Sequence, residues 1–463
     1  MKILLSILQQ NLICINIHIM KNTSRRNFIK QVSATGLGMT LGGLSFSAKS
    51  YANIVGANER FHIAVMGTNG RGEGMAQNFQ RIKDVDMMYV CDVEDKAIEK
   101  GVNAVKKAGG NPKVEKDIRK VLEDKELDAL LVTAPDHWHA PATIMACQAG
   151  KHVYVEKPCS HNPREGELSI AAARKYNRIV QVGAQRRSWS GLTQGINELH
   201  AGIIGRIYFA RGWYTNKRKS IGFGKQVAVP STLDFDLWQG PAPRRAYRDN
   251  LIHYNWHWFW HWGTGEALNN GTHEIDVIRW GLGVDFPTHV SSEGARFVFK
   301  DDWETPDTQI INLQFGDDCL VTWEGRSCNS RDSEGGDRGV IFYGETGAMH
   351  TGHNGFRVYD LDNKLIKEVD SKDVIDGRDP SSPSANLDIP HITDFLNAIK
   401  DNRLPNADIA ELHKSTTLVQ LGNIAWRTGQ RLTIDPSNGH ILNSLEGQAL
   451  WGRTYEPGWE PNI

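Results

Sequence analysis

The 463-residue chain has almost no net charge, a formal −1 at pH 7, and no basic run follows residue 60. It lacks the field that draws proteins to nucleic acid or to anionic membranes, so neither is an expected partner. The six cysteines (Cys14, Cys91, Cys147, Cys159, Cys319 and Cys328) contain no C-x-x-C pair and no metal-ligand spacing. They read as free thiols, because a chain of this length needs no disulfide staples. Internal repeats and low-complexity tracts are absent as well. What remains is a chain too long for one ordinary core, which implies two domains plus appendages. Its 14 Trp are a weak pointer to sugar, whose apolar ring faces stack on aromatic planes.

Residues 1–52 read as an address. SRRNFIK at 24–30, the apolar stretch Val32–Phe46 and SAKSYAN resemble a twin-arginine export signal, with Arg25 and Arg26 as the pair and Ala52 as the cleavage residue. The apolar stretch falls short of the ~20 residues a membrane span needs and is loosened by four glycines, so no stable span is expected after cleavage. MKNTSRRNFIK from Met20 has the form of a conventional start for such a signal. The expected location is the periplasm. A protein exported in folded form, away from the cytoplasmic supply of dinucleotide, is expected to retain its cofactor.

From Phe61 an apolar strand runs into GTNGRG and a helix. Such a turn brings backbone N–H groups and a helix dipole to a pyrophosphate. The G-x-G-x-x-G pattern falls on Gly67, Asn69 and Gly72, so the middle glycine is missing; Asn69, tolerant of left-handed angles, followed by Gly70, is expected to keep the turn tight. Thr68 and Arg71 complete the loop. A second strand, Val85–Cys91, ends in Asp92, twenty residues after Gly72. That is where an acid should hold the adenosine ribose, and a carboxylate there repels a 2′-phosphate, favouring NAD over NADP. Helical periodicity at 94–108 and 117–124 alternates with strands at 129–133, 152–155 and 179–183. Pro141 is read as a first-turn proline, Gly150 as a helix stop, and Asn162-Pro163 as an N-cap with Pro at N1. The result is a Rossmann-type parallel sheet over residues 60–183.

Ligands of such sheets sit beyond the carboxyl ends of the strands. Those ends read TAPDHWHA (133–140) and EKPCSHN (156–162). Pro135, His137, His139, Glu156 and Lys157 are therefore cofactor candidates. Lys157, just past a buried strand and bent by Pro158, is placed to reach a nicotinamide ribose and a substrate hydroxyl, with desolvation lowering its pKa.

The order GTNGRG, CDV, TAPDHWHA, VEKP resembles the glucose-fructose oxidoreductase and inositol dehydrogenase family (Gfo/Idh/MocA) over nearly the whole chain after residue 60. The resemblance implies that Lys157 is the catalytic lysine and that a helix of the second domain presents His273. The family's aspartate four residues earlier is here Asn269, so His273 would act alone or with Glu266 or Asp276. It also implies that Gln185 and Arg187 face the cofactor side, Gln185 toward the cofactor and Arg187 toward the substrate, and that the second domain often mediates oligomers; a homo-oligomer is expected. Imidazole titrates near neutral pH, which suits His273 to an alcohol that must shed its proton.

Residues 184–430 are expected to form an α+β domain with an open, mostly antiparallel sheet, from strands at 206–214, 289–299, 308–315, 319–324 and 339–343. The irregular segment 217–254 is long enough to be functional. In NWHWFWHW (255–262) a strand would put Trp256, Trp258, Trp260 and Trp262 on one side, as a sugar platform or a buried rim. His257 and His261 would be ~13 Å apart in that strand, with no carboxylate to complete a metal site, so no metal is expected. Trp260, Glu266, Asn269, Asn270 and His273 join Arg187 as candidate substrate contacts. Helices follow Asn386, and a Trp-bearing tail, 431–463, is expected to cover a neighbouring surface or subunit. The combined reading is an NAD(P)-dependent oxidoreductase, with NAD favoured, acting on a sugar or glycoside hydroxyl, with a 3-keto-glycoside as the expected kind of product. NAD-dependent glycoside hydrolysis by transient oxidation is the alternative, and a noncatalytic dinucleotide-binding sensor the second.

Overall fold

The computed structural model describes residues 60–352, 355–370 and 385–463; the export signal read at residues 1–52 lies outside them. Six strands form an all-parallel sheet in the order β3-β2-β1-β4-β5-β6. They are β1 (Phe61–Met66), β2 (Val85–Cys91), β3 (Lys113–Glu115), β4 (Ala129–Val132), β5 (His152–Val155) and β6 (Val180–Val182). Helices α1 (Arg71–Arg81), α2 (Asp95–Lys107), α3 (Ile118–Leu122), α4 (Asp136–Gln148) and α5 (Pro163–Lys175) connect them. The side chains of Glu94, Asp117 and Asn162 cap three of these helices by accepting backbone N–H groups. The chain leaves β1 to opposite sides of the sheet, which opens a crevice at the carboxyl ends of β1 and β4.

One helix starts earlier than its proline suggests. Helix α4 begins at Asp136, so Pro141 lies inside it and cannot donate to the carbonyl of His137. That carbonyl instead accepts from Arg453 Nη2 at 2.7 Å, a residue of the C-terminal tail. Arg453 also pairs with the fully buried Glu165 at 2.7 Å, which Tyr455 joins at 2.9 Å. The tail thus covers this chain's own first domain, with Trp459 edge-on to Trp138 at 5.3 Å. Arg453→Ala removes the partner of a buried carboxylate and is expected to cost about 3 kcal/mol, read as a lower denaturant midpoint at unchanged slope.

The second sheet has nine strands in the order β14-β13-β12-β11-β7-β10-β9-β8-β15, antiparallel except where β7 (Ile207–Thr215) pairs with β10 (Cys319–Arg326). Strands β8 (His289–Ala295), β9 (Thr308–Phe315) and β11 (Arg338–Gly344) follow the sequence pattern; β12 (Ala348–Gly352), β13 (Gly355–Tyr359), β14 (Leu365–Asp370) and β15 (Leu432–Thr433) extend the sheet at its edges. Helices α6 (Ser190–His200) and α8 (Thr272–Leu282) pack on its inner face, and α7 (Phe235–Gln239) lies in the long segment before Tyr254. Helix α9 (Ala385–Asp401) returns to the first domain through Ile392, Phe395 and Leu396, and α10 (Ile409–Thr428) contributes to the cores of both domains. Short α11 (Leu445–Ala449) leads into the tail. Among the described residues no helix is long and apolar enough to cross a membrane.

NWHWFWHW is not a strand. Residues Asn255–Trp258 form a single 3-10 turn, and the run then folds back through hydrogen bonds such as Gly263 N–H to Phe259 O at 2.8 Å. Alternation with period two is overridden by packing: Trp258 stacks on Trp303 at 3.9 Å, Trp262 packs edge-on to Trp238, and both are buried.

Candidate active site

The crevice at the strand ends is a cleft of about 350 Å³, open at its mouth. That lies within the ~300–1,000 Å³ of a typical small-molecule pocket. The phosphate turn forms one wall. At Gly67 (φ +86°) a Cβ would lie 2.7 Å from the Ala134 backbone, and at Gly72 one would lie 1.9 Å from the Gly67 carbonyl. Both glycines are therefore required where they stand. The left-handed position is Gly70 (φ +65°), whereas Asn69 keeps a negative φ, so Asn69 does not replace the missing glycine by the angle expected of it. Its carboxamide oxygen instead accepts from Lys100 at 2.7 Å. Gly72→Ala should raise the Kd for NAD roughly 100-fold, corresponding to the ~3 kcal/mol upper range of overpacking. Calorimetric titration checks this, with circular dichroism confirming the fold.

Asp92 lines the cleft and accepts from the Thr68 N–H at 2.6 Å and the Glu94 N–H at 3.2 Å, tying the phosphate turn to the end of β2. Burial raises its pKa, against those hydrogen bonds. Thr68 itself is buried and braces the loop rather than lining the cleft; its hydroxyl donates to Ala97 O at 2.7 Å. Arg71 is clamped: it donates to Glu156 at 2.9 Å and bidentately to Asp388 of α9 at 2.7 and 2.9 Å. Gln185 donates to the same Glu156 at 3.1 Å from outside the cleft lining. Gly183 is glycine because a Cβ there would come within 2.7 Å of Glu156. The cleft floor is thus a buried, charge-paired network.

Lys157 projects from that floor. Its Nζ donates to the backbone oxygen of Asn269 at 2.6 Å and to its side-chain oxygen at 3.1 Å. Burial lowers its pKa, against the pull of Glu156 and Asp136. Asn269 lies in a π-turn, Ala267–Gly271, just before α8, the irregularity that frees backbone groups at many functional sites. His273 follows one turn later, half-buried and within electrostatic reach of Lys157, but outside the cleft lining, as are Glu266 and Asn270. Burial, with Arg338, Lys157 and Arg186 nearby, holds its pKa well below the usual histidine value.

The carboxylates near His273 are all engaged. Glu266 is buried in an ion pair with Arg218 and accepts from Asn269 and Asn270. Asp276 accepts bidentately from Arg187 at 2.7 and 2.9 Å and from Ser415. Arg187, expected at the substrate, is consumed by this pair and does not reach the cleft, because Asp276 lies on the inward face of α8. His137 is likewise turned inward, bonded to Trp238 O at 3.0 Å and fully buried, whereas His139 and Pro135 line the cleft. Trp260 faces a different cavity, stacked on Trp426 at 5.9 Å. The aromatic cover of the cleft is instead Trp238, Tyr254, Trp256 and His257. His257 stacks on Trp256 at 3.6 Å and donates from Nδ1 to Tyr254 O, and burial pushes its pKa down to about 3. Trp238 and Tyr254 come from the long segment 217–254 and Trp256 and His257 from NWHWFWHW; which aromatics face the cleft depends on the turn at Tyr254 (φ +80°).

Residues 61–184 match the oxidoreductase family model for the NAD-binding Rossmann fold, and residues 213–460 match the model for the family's C-terminal alpha/beta domain. The chain belongs to the Gfo/Idh/MocA oxidoreductase family, and its first domain binds NAD. It is similar to a glycosyl hydrolase family 109 protein of Saccharopolyspora erythraea, 27% identical over 255 residues, 49% of this chain and 55% of the relative. It is also similar to inositol 2-dehydrogenase 4 of the same organism, 24% identical over 58% of this chain and 67% of the relative. The chain thus spans about half the length of the glycosyl hydrolase relatives it matches. Among solved structures, levoglucosan dehydrogenase in complex with NADH and levoglucosan superimposes with a TM-score of 0.63 at 16% identity, over 81% of this chain and 99% of the other. That likeness shows the fold.

Proposed function

We propose that the protein oxidises a ring hydroxyl of a sugar or glycoside to a ketone, with NAD held at the phosphate turn by Gly67, Gly70, Gly72 and Asp92. When bound, NAD takes up the two electrons of the alcohol C–H bond. Everything else falls to the chain's own side chains.

The observation that carries this reading is the Lys157 contact with Asn269. A neutral amine has two N–H bonds, and both are matched by the two Asn269 oxygens; its lone pair is then left for a substrate hydroxyl. Once protonated, Nζ presents an N–H in that same direction. Lys157 can therefore accept and return one proton at Nζ without changing its hold on Asn269, and its lowered pKa favours the neutral form it starts from. His273, kept neutral by its surroundings, fixes a second hydroxyl or the same oxygen by hydrogen bonding. Glu266, Asp276 and Glu274 are each paired with an arginine, which favours an oxidation over a longer elimination sequence.

The glycosyl hydrolase relatives support a second reading, in which the ketone is transient and a glycosidic bond is lost before reduction. Mass spectrometry of a glycoside panel after incubation with the full-length protein separates the two. Oxidation yields a product lighter by two hydrogens; hydrolysis yields a free reducing sugar. We further propose export by the twin-arginine route with the cofactor retained and recycled in place, and assembly as a homo-oligomer. Dialysed, then denatured protein should release NAD(H); an empty supernatant counts against retention.

A further inference from the structure

The long segment 217–254 crosses the cleft as well as walling it. Just past Asp92 it pairs with the first domain: the Asp95 N–H donates to Thr232 O at 3.0 Å and the Asp234 N–H to Val93 O at 2.9 Å, with Leu233 opposite Glu94 in an antiparallel bridge. Asp234 then caps α7 by accepting from the Leu237 N–H, and the chain reaches the other side of the crevice. There Trp238 O accepts from Trp138 Nε1 at 2.9 Å and from His137 Nε2 at 3.0 Å, both on α4. The sheet order puts β1 between β2 and β4. A segment fastened to the end of β2 and to α4, which follows β4, therefore passes across the end of β1, where the phosphate turn lies. Leu237 and Trp238 face the same space as Gly67, Gly70 and Asp92, so a dinucleotide held between Asp92 and Lys157 lies between the crossing and the turn.

The segment has a small core of its own. Leu233, Phe235, Trp238, Tyr247, Phe259 and Trp262 belong to an apolar cluster separate from the cores of both domains, which takes Val93 from the first domain. Arg248 and Asn250 tie it to Asp302 of the second domain at 2.8 and 2.9 Å. A unit with its own core and few bonds to the surface beneath it opens at lower cost than the domain it covers. Its far end is held twice over, because Glu456 of the tail donates to Pro241 O at 3.1 Å and accepts from the Arg244 N–H at 3.0 Å. The end that opens is therefore the one at β2, where two backbone hydrogen bonds close it.

We propose that residues 232–240 form a strap across bound NAD, and that opening of its pairing with residues 93–95 sets the rate at which the cofactor enters and leaves. The strap requires only that the first domain binds NAD, whatever the substrate. Exchange rates report it independently of how much NAD the isolated protein holds.

Glu94 and Leu233 face each other in the non-hydrogen-bonded position, the closer of the two antiparallel pairings, so Glu94→Cys with Leu233→Cys can close a disulfide across the strap. In the full-length protein loaded with NAD, exchange for isotope-labelled NAD is expected to be about tenfold slower in the oxidised double variant than in the same protein after reduction. Asp234→Pro suits a φ of −83° and removes the N–H given to Val93. In that variant NAD binding and release should both quicken roughly fivefold, the weight of one backbone hydrogen bond on an opening equilibrium, with Kd nearly unchanged. Equal exchange before and after reduction, or faster release in Asp234→Pro matched by an equally weaker Kd, would overturn it.

Discussion

Lys157→Ala is expected to lower kcat/KM for glycoside oxidation by about 10³-fold, within the ~10²–10⁴ that a positioned acid or base contributes. NAD affinity should change little, because the phosphate turn and Asp92 lie on other strand ends. The sign of the pH dependence follows from the same amine. Oxidation needs neutral Lys157, so kcat/KM rises with pH and levels off once the lowered pKa is passed, at a pH below the ordinary lysine value of 10.5. Ketone reduction needs the protonated amine and falls across the same interval. In Lys157→Ala both profiles flatten. A variant that loses activity yet keeps the rising limb would assign the limb to another group.

His273→Ala is expected to cost about 10²-fold in kcat/KM, mostly through KM, with the Lys157 limb preserved. The imidazole is unprotonated throughout the neutral range because its pKa is held well below 6.5, so it contributes no limb of its own near neutrality. His273→Gln, which keeps a hydrogen-bonding group without a titratable ring, should recover part of the loss. If instead His273→Ala abolished the pH dependence and Lys157→Ala left it intact, the two roles assigned here would be exchanged.

The parallel sheet was legible because its central strands are buried on both faces and read as continuous apolar runs. Strand β3 was not, since Lys113–Glu115 is three residues long and largely exposed at the edge. Strands β12 and β13 carry glycines, and β14 charged residues, that obscure the apolar pattern. Lys157, Asp92 and the glycine turn could be found because strand ends fix where ligands sit. The clamp on Arg71 could not: Asp388 lies 317 residues further along the chain, and no spacing announces it. Arg187 misled for a related reason, its true partner Asp276 being set by the rotation of α8. In NWHWFWHW the period-two pattern was real but lost to stacking on Trp303, a contact only the tertiary fold supplies.

In the proposed reaction Lys157 removes the hydroxyl proton while the C–H bond of the same carbon is broken by oxidation. A single-turnover experiment with the NAD-loaded full-length protein, using a glycoside deuterated at one ring carbon at a time, tests it most directly. Reduced nicotinamide is expected to appear, more slowly with deuterium at one carbon, and Lys157→Ala is expected to remove the signal. Release of a reducing sugar with no reduced nicotinamide and no isotope effect at any ring carbon would contradict it.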